Sequence, residues 1–403
     1  MTDLHPHSLG RSAEHGPPRR RTKVLHMITR LIVGGAQDNT LITAERHDRE
    51  RFEVHVASGP GGELVTRARA AAEAFHLIPH LVNPISPLDD VRALREIVAL
   101  LRRERYDVVH THSSKAGTLG RIAARIARVP VVVHTVHGSP FHPLQPRWKQ
   151  ALFVNVERAV RPLADAILTL SDRDRAEFIA RGIVDEDRSQ TVYTGMDFGA
   201  LAPSPGVDPA ATRQSLGVPE GGCLILMVGR HDRQKAPDLL LRAFAQVAAV
   251  DPLAVLAFAG DGPIREEVEA LAGTLGVADR TRFLGTRSDV PDLLAAADIF
   301  SFSSVREAMG RAMLEAMIAG LPVVVPYTSG IPEVARPGET GLLFEVGDVA
   351  GIAEHLLYLI RQPDERARLG ANARELVLSL FDAQVMVDSI ETVYLDRLAA
   401  IEQ

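Results

Sequence analysis

Several kinds of residue are scarce in this sequence. It has one cysteine, Cys223, and one tryptophan, Trp148, and aromatic residues make up 5% of its 403 positions. A lone cysteine cannot form an internal disulfide, and its place in the apolar run CLILMVG marks an inert buried thiol in a reducing compartment. No apolar run approaches the ~20 residues that cross a bilayer. Residues 1–21 lack the apolar centre of a signal peptide and read as a disordered tail, so the expected location is cytoplasmic, at most peripheral on the inner face of the membrane. Positive charge is also short: the formal net charge of −6 argues against a general nucleic-acid binder. What remains is 46% hydrophobic and 24% charged, too long for one ordinary core and suited to two α/β domains.

The chain is organised around SVREAMGRAMLEAMIAGLPVVVP (304–326). It sets Glu307 and Glu315 eight residues apart with Gly310 between them. Good helix formers predict a helix over 308–319, capped by Gly320 and followed by a buried VVV strand. Glu307 then sits at the helix mouth and Glu315 about two turns inside. The amides near Ala308, Met309 and Gly310 would be free to take an anion such as phosphate. Taken alone, the stretch reads more readily as a capped helix of any α/β protein.

The first half alternates strands and helices. Strand KVLHMITR (23–30) leads through Gly34-Gly35 into a helical pattern. That glycine pair is either a simple turn or a loop open to a phosphate or sugar. Strands follow at 52–58, 106–112 and 130–138, with amphipathic helices at 91–105 and 115–129. Such alternation implies a parallel, doubly wound sheet. His110, His112, His134 and His137 fall at the ends of two strands, where open α/β sheets bind ligands. A metal reading of the four is weak, because no carboxylate or cysteine joins them at a recognisable spacing. His137, followed by Gly138, is the candidate for bonding a substrate hydroxyl, and the other three read as packing or supporting residues.

The helix 146–164 carries Trp148, Leu152, Phe153 and Val156 beside Arg147, Lys149, Arg158 and Arg161. With Arg121, Arg125 and Arg128 it forms either a surface for anionic lipid headgroups or an ordinary packed helix. Asp172-Arg173-Asp174 has the Asp-x-Asp form that elsewhere holds a metal on a sugar nucleotide. Here it follows Ser171 in a first helical turn, which favours a cap. A Gly/Pro/Asp-rich segment, 191–209, marks the boundary between halves. Beyond it, Arg230 ends a strand and Lys235 precedes a helix begun by Pro237, two cations that suit a diphosphate without a metal. Residues 349–403 are helical in pattern.

In this order VGGAQ, HTHSSKAG, VHTVHG, VGRHDRQK, AGDGP, FLGTRSDV, and EAMGRAMLE followed by AGLPVVV resemble the retaining glycosyltransferases of family 4, across nearly the whole chain. The resemblance implies a GT-B fold: two Rossmann-like doubly wound domains facing a cleft. It implies an acceptor domain over 22–195, a nucleotide-sugar domain over 196–380, and a last helix, 381–403, returning to the first domain. A nucleotide-sugar donor, UDP favoured and GDP the alternative, would pass its sugar to a glycan or lipid-linked acceptor without metal or other cofactor. Arg230 and Lys235 would hold the diphosphate, Glu307 the transferred sugar and Glu315 the ribose. The amides of Met309 and Gly310 would bind sugar or phosphate. His137 would face the donor sugar, Gly34 and Gly35 would approach the diphosphate, and Arg287 would lie near the base. The pattern departs from the family's in Ala308-Met309-Gly310, where Gly-Phe-Gly is commoner, and in Thr194, where Asn is commoner. A nucleotide-sugar 2-epimerase, sharing the fold but consuming no acceptor, is the rival from another class.

Overall fold

The computed structural model describes residues 20–138 and 145–402. Thirteen strands are present among them: β1 (Thr22–Ile28), β2 (Phe52–Ser58), β3 (Ala74–Leu77), β4 (Val108–His112), β5 (Val131–Val136), β6 (Ala166–Thr169), β7 (Ser189–Thr191), β8 (Leu224–Val228), β9 (Val255–Ala259), β10 (Thr281–Phe283), β11 (Ile299–Ser301), β12 (Val323–Pro326) and β13 (Gly341–Phe344). They form two all-parallel sheets, ordered β3-β2-β1-β4-β5-β6-β7 and β10-β9-β8-β11-β12-β13. Runs such as VVV and LILMV are apolar at every position, as strands covered by helices on both faces require. The chain is therefore an α/β protein of two Rossmann-like doubly wound sheets.

Each sheet reverses its strand order between its first and fourth strands, and ligands of open α/β sheets bind outside the carboxyl ends there. In the first sheet that point lies after β1 and β4, in the second after β8 and β11. Gly34-Gly35, the end of the His110/His112 strand, Lys235 and Glu307 all follow these four strands.

Alternation along β1 divides its side chains between two cores. Val24 and Ile28 belong to one, Leu25 and Met27 to the other. The first core is completed by the last helix, Ala383–Glu402, which contributes Met386, Val387, Ile390 and Tyr394. The chain recrosses beside the segment joining the halves, where the Met196 amide donates to the Phe381 carbonyl at 2.7 Å. The second sheet shares one core with its helices, and Cys223 is buried in it with its thiol pushed up to about 12 by burial.

Several local expectations need correction. The helix expected over 308–319 runs only from Arg311 to Ile318, and Glu307 stands on the loop before it. Gly310 is the reason: its φ of 71° is left-handed, and a Cβ there would lie 3.2 Å from Phe302, so the chain turns there instead of coiling. The helix expected at 91–105 begins earlier, at Pro87, whose fixed φ suits a first turn. Strands β3, β7 and β13 have no counterpart in the sequence reading; they are short sheet-edge segments, AFHL, SQT and GLLF. On the helix Arg147–Val160, Trp148 and Leu152 face solvent, while Val154, Glu157 and Val160 are buried. Its Arg158 and Arg161 donate to the carbonyls of Arg181 and Gly182 at 2.8 and 3.1 Å, so they tie down a neighbouring turn and do not form a free basic face.

Candidate active site

A cleft of about 410 Å³ opens between the carboxyl ends of the two sheets. Gly34, Gly35, His137 and Gly138 line it from the first half, and Lys235, Glu307, Met309, Gly310 and Glu315 from the second.

The second-half wall starts from Asp232. Its Oδ1 accepts the amides of Gln234 and Lys235 at 3.0 and 2.9 Å, holding the loop after β8 in a turn. That turn directs the Lys235 ammonium onto Glu307 Oε1, which also accepts from Ser304 Oγ at 2.7 Å. Glu307 is 9% exposed, so its charge depends on these two partners. Among the described residues, the amides of Met309, Gly310, Arg311 and Ala312 donate to no carbonyl or side chain. Four open N–H groups at a helix start favour a negative ligand oxygen.

Further in, Arg311 Nε donates to Glu315 Oε1 at 3.1 Å and lies 3.9 Å from Asp38 of the opposite half. Burial raises the Glu315 carboxyl above the usual range, and Arg311 opposes the shift. Arg311 Nη1 is buried with no hydrogen-bond partner. The sequence reading passed over Arg311; its signal was a cation directly after the αL glycine, four residues before Glu315.

Two expected residues are elsewhere. Arg230 is exposed and donates from Nε to Asp232 Oδ2 at 2.7 Å; Arg287 is bound to Asp289, also at 2.7 Å. Neither lines the cleft. Lys235 and Arg311 are thus the cations paired with the two cleft glutamates, and Arg230 is not beside them. The Asp-x-Asp pair is outside it as well. Ser171 Oγ accepts the Asp174 amide at 3.1 Å, the cap geometry, and Asp174 is pushed up to about 6 by burial while facing Arg306.

His137 enters from the first half. Burial pulls its imidazole down to about 4, leaving the ring neutral near pH 7. Its Nε2 lies 2.9 Å from His112 Nδ1, and its own Nδ1 is buried without a partner among the described residues. His26, His110 and His112 bring ring nitrogens within 4.8 Å of one another, a metal-like spacing. All six of those nitrogens nevertheless already have hydrogen-bond partners. His134 points to the other face of β5, against Thr111 and the helix Ser114–Ala127, whose Gly117 leaves room for its ring.

This geometry meets its counterparts in comparisons with known proteins. Residues 33–199 match Glycosyltransferase Family 4, and residues 208–376 match Glycosyl transferases group 1. The D-inositol 3-phosphate glycosyltransferase of Mycobacterium bovis is 31% identical over 349 residues, 77% of this chain and 70% of that protein. The chain belongs to glycosyltransferase family 4. It is also 29% identical, over 94% of its length and 98% of the relative's, to the UDP-Gal:alpha-D-GlcNAc-diphosphoundecaprenol alpha-1,3-galactosyltransferase of Escherichia coli. Anabaena HepE, solved with UDP-glucose, superposes with a TM-score of 0.80 at 25% identity, covering 93% of this chain and 99% of HepE. The fold is GT-B and the chain is a glycosyltransferase. Among the described residues, no helix is long and apolar enough to cross a membrane.

Proposed function

We propose that this glycosyltransferase transfers a sugar from a UDP-sugar to a glycan or lipid-linked acceptor, with retention and without a metal. The observation that carries the reading is the lysine–glutamate pair beside open amides at the cleft wall. A diphosphate entering there would draw Lys235 from Glu307. That frees Glu307 to accept hydroxyls of the sugar, while Arg311 stands ready on the same wall. Glu315 would accept the ribose hydroxyls and exchange Arg311 for them. The amides of Met309 and Gly310 would hold a phosphate or sugar oxygen, and Gly34 and Gly35 would admit the diphosphate from the other side. Arg230 and Arg287 would reach the donor only by leaving Asp232 and Asp289.

In the reaction the anomeric C–O bond to the diphosphate breaks and a bond to the acceptor oxygen forms. On a common face, the leaving phosphate oxygen takes the acceptor's proton, so no protein base is required. Fixed cations and amides stabilise charge that grows on the leaving group, which lowers the barrier more than they strengthen donor binding. The role a metal would have falls to Lys235, and the Asp-x-Asp pair is engaged outside the cleft. A lipid-linked acceptor is supported by the named Escherichia coli relative and by Trp148 and Leu152, 70% and 47% exposed on one helix. A Trp148→Glu variant should then lose binding to anionic vesicles at low salt; equal binding by both proteins would take Trp148 out of the contact, and no binding by the unmodified protein would remove the membrane surface.

Thermal melting against UDP, GDP, ADP and their common sugar conjugates tests the donor. A ligand at 100 times its Kd should add about 2.7 kcal/mol of stability. A shift with UDP or UDP-sugars that Glu315→Ala weakens is expected; stabilisation by GDP or ADP alone would overturn the base assignment.

A further inference from the structure

Outside the cleft wall, a line of titratable groups is buried in the first half. Glu391, His47, His26, His112 and His137 touch in sequence: His47 Nδ1 to Glu391 Oε1 at 2.9 Å, His26 Nε2 to His47 Nε2 at 2.9 Å, His26 Nδ1 to His112 Nε2 at 3.1 Å, and His112 Nδ1 to His137 Nε2 at 2.9 Å. One end lies on the last helix, the other in the cleft.

Burial lowers all four imidazoles, His26 and His112 most strongly. Each neutral ring has one N–H and one bare nitrogen, so a chain of such rings can run in only one of two directions. The Glu391 end decides between them. Glu391 Oε1 also accepts the backbone amide of Asp48 at 2.9 Å, which makes it an acceptor, and Arg51 lies 3.9 Å from its other oxygen. His47 must therefore donate from Nδ1 and accept at Nε2. His26 then donates from Nε2 and accepts at Nδ1, and His112 does the same. His137 donates from Nε2, and its Nδ1 is left bare, the same atom that is buried without a partner among the described residues.

We infer that Glu391 on the last helix sets, through His47, His26 and His112, the tautomer of His137, so that His137, which lines the cleft, keeps Nδ1 bare as the acceptor for a sugar or acceptor hydroxyl that reaches it. Glu391, His47, His26 and His112 are positioning residues that act through His137, and the inference rests on the proposed transferase reading of the cleft. A buried acceptor with no partner among the described residues is costly until a ligand hydroxyl donates to it, so the relay converts a hydrogen-bond deficit into selectivity for a donor group. His110 stands beside the chain, bonded to Tyr394 and Thr135 at 2.5 and 2.7 Å, and fixes its packing. A divalent ion at His26, His110 and His112 would have to displace these partners, whereas the relay keeps the contacts of His26 and His112 and leaves those of His110 in place.

The test is nitrogen NMR of the histidine-labelled full-length protein at pH 7.5, which distinguishes protonated from bare ring nitrogens. In the unmodified protein His137 should show a protonated Nε2 and a bare Nδ1; the reverse pattern overturns the inference whatever any variant does. In His47→Phe, whose ring fills the same space beside Phe52 and Tyr394, His26 loses its acceptor and His137 should move toward protonated Nδ1. Glu391→Gln should leave His137 a mixture, because an amide can face His47 with either its oxygen or its nitrogen. Turnover should fall about tenfold in kcat/KM with His47→Phe, the worth of one hydrogen bond, and the loss should vanish in a His137→Ala background. An equal loss in that background would make His47 merely structural and sink the relay. Failure of UDP-sugars to bind or react would instead remove the proposed UDP donor, while the tautomer pattern could still be read.

Discussion

Single residues decide the chemistry at the cleft wall, and the Lys235–Glu307 pair shows how. In the free protein the two neutralise each other, with Ser304 completing the Glu307 shell. Removing either partner leaves the other unpaired in a mostly buried setting and, on the proposed donor placement, removes a group that would meet developing charge. Lys235→Ala and Glu307→Ala should therefore each lower kcat/KM by roughly 10²-fold, as loss of a preorganised oxyanion partner does. Steady-state kinetics checks this, and near-normal turnover by Lys235→Ala would remove its assigned part. Arg311 is the second residue-scale case. Arg311→Gln should weaken the nucleotide-induced melting shift and leave Glu315 without its cation; an undiminished shift would return Arg311 to a purely structural pairing.

At the scale of elements, the buried contact between the helices Ser114–Ala127 and Arg147–Val160 is the informative one. Arg121 is fully buried, donating from Nε to the Gly117 carbonyl and from Nη2 to Glu157 Oε2, both at 2.8 Å. Arg121→Met should cost about 3–5 kcal/mol, because it strands the Glu157 charge. Arg121→Met with Glu157→Leu should recover much of that loss in chemical denaturation; a double variant as unstable as the single one would refute the stranded-charge account. Legibility also divides at this scale. The long apolar strands and the helices between them could be read from period and capping alone, and the strand-end positions of Glu307, Lys235 and Gly34-Gly35 with them. The edge strands SQT and AFHL were missed because they bury too little to leave a pattern, and GLLF because four residues are too short a run to show a period. The partner of Arg230 was not legible either: Asp232, two residues on, takes its guanidinium, a choice between partners that spacing does not display. The partners of the strand-end histidines were out of reach for another reason: His47 meets Glu391 from 344 positions away, and only the return of the last helix brings them together.

For the whole molecule, the uneven placement of buried histidines predicts which half fails first in acid. His26, His47, His110, His112, His134 and His137 all lie in the first half, and burial lowers every one of them. A lowered histidine binds its proton in the unfolded chain near pH 6.5 but not in the native one until far lower. Its contribution is nil above pH 6.5 and becomes a growing loss of stability as pH falls from there toward the native value. For His137, at about 4, that amounts to roughly 3 kcal/mol by pH 4. Asp174, raised to about 6 in the same half, works in the opposite sense, since it binds a proton more readily when folded and gains stability as pH falls through that window. One carboxyl does not offset six imidazoles. In the second half the raised Glu315 likewise favours acid, and His231, lowered by burial, opposes it, so no comparable group of buried imidazoles takes up protons there. Amide exchange at pH 5 should accordingly show protection lost first in β1, β4 and β5, with the last helix following because Tyr394 and Glu391 pack on that core, while β8, β9 and β12 stay protected. Simultaneous loss in both sheets, or earlier loss in the second, would mean that proton uptake by the buried histidines does not govern acid unfolding.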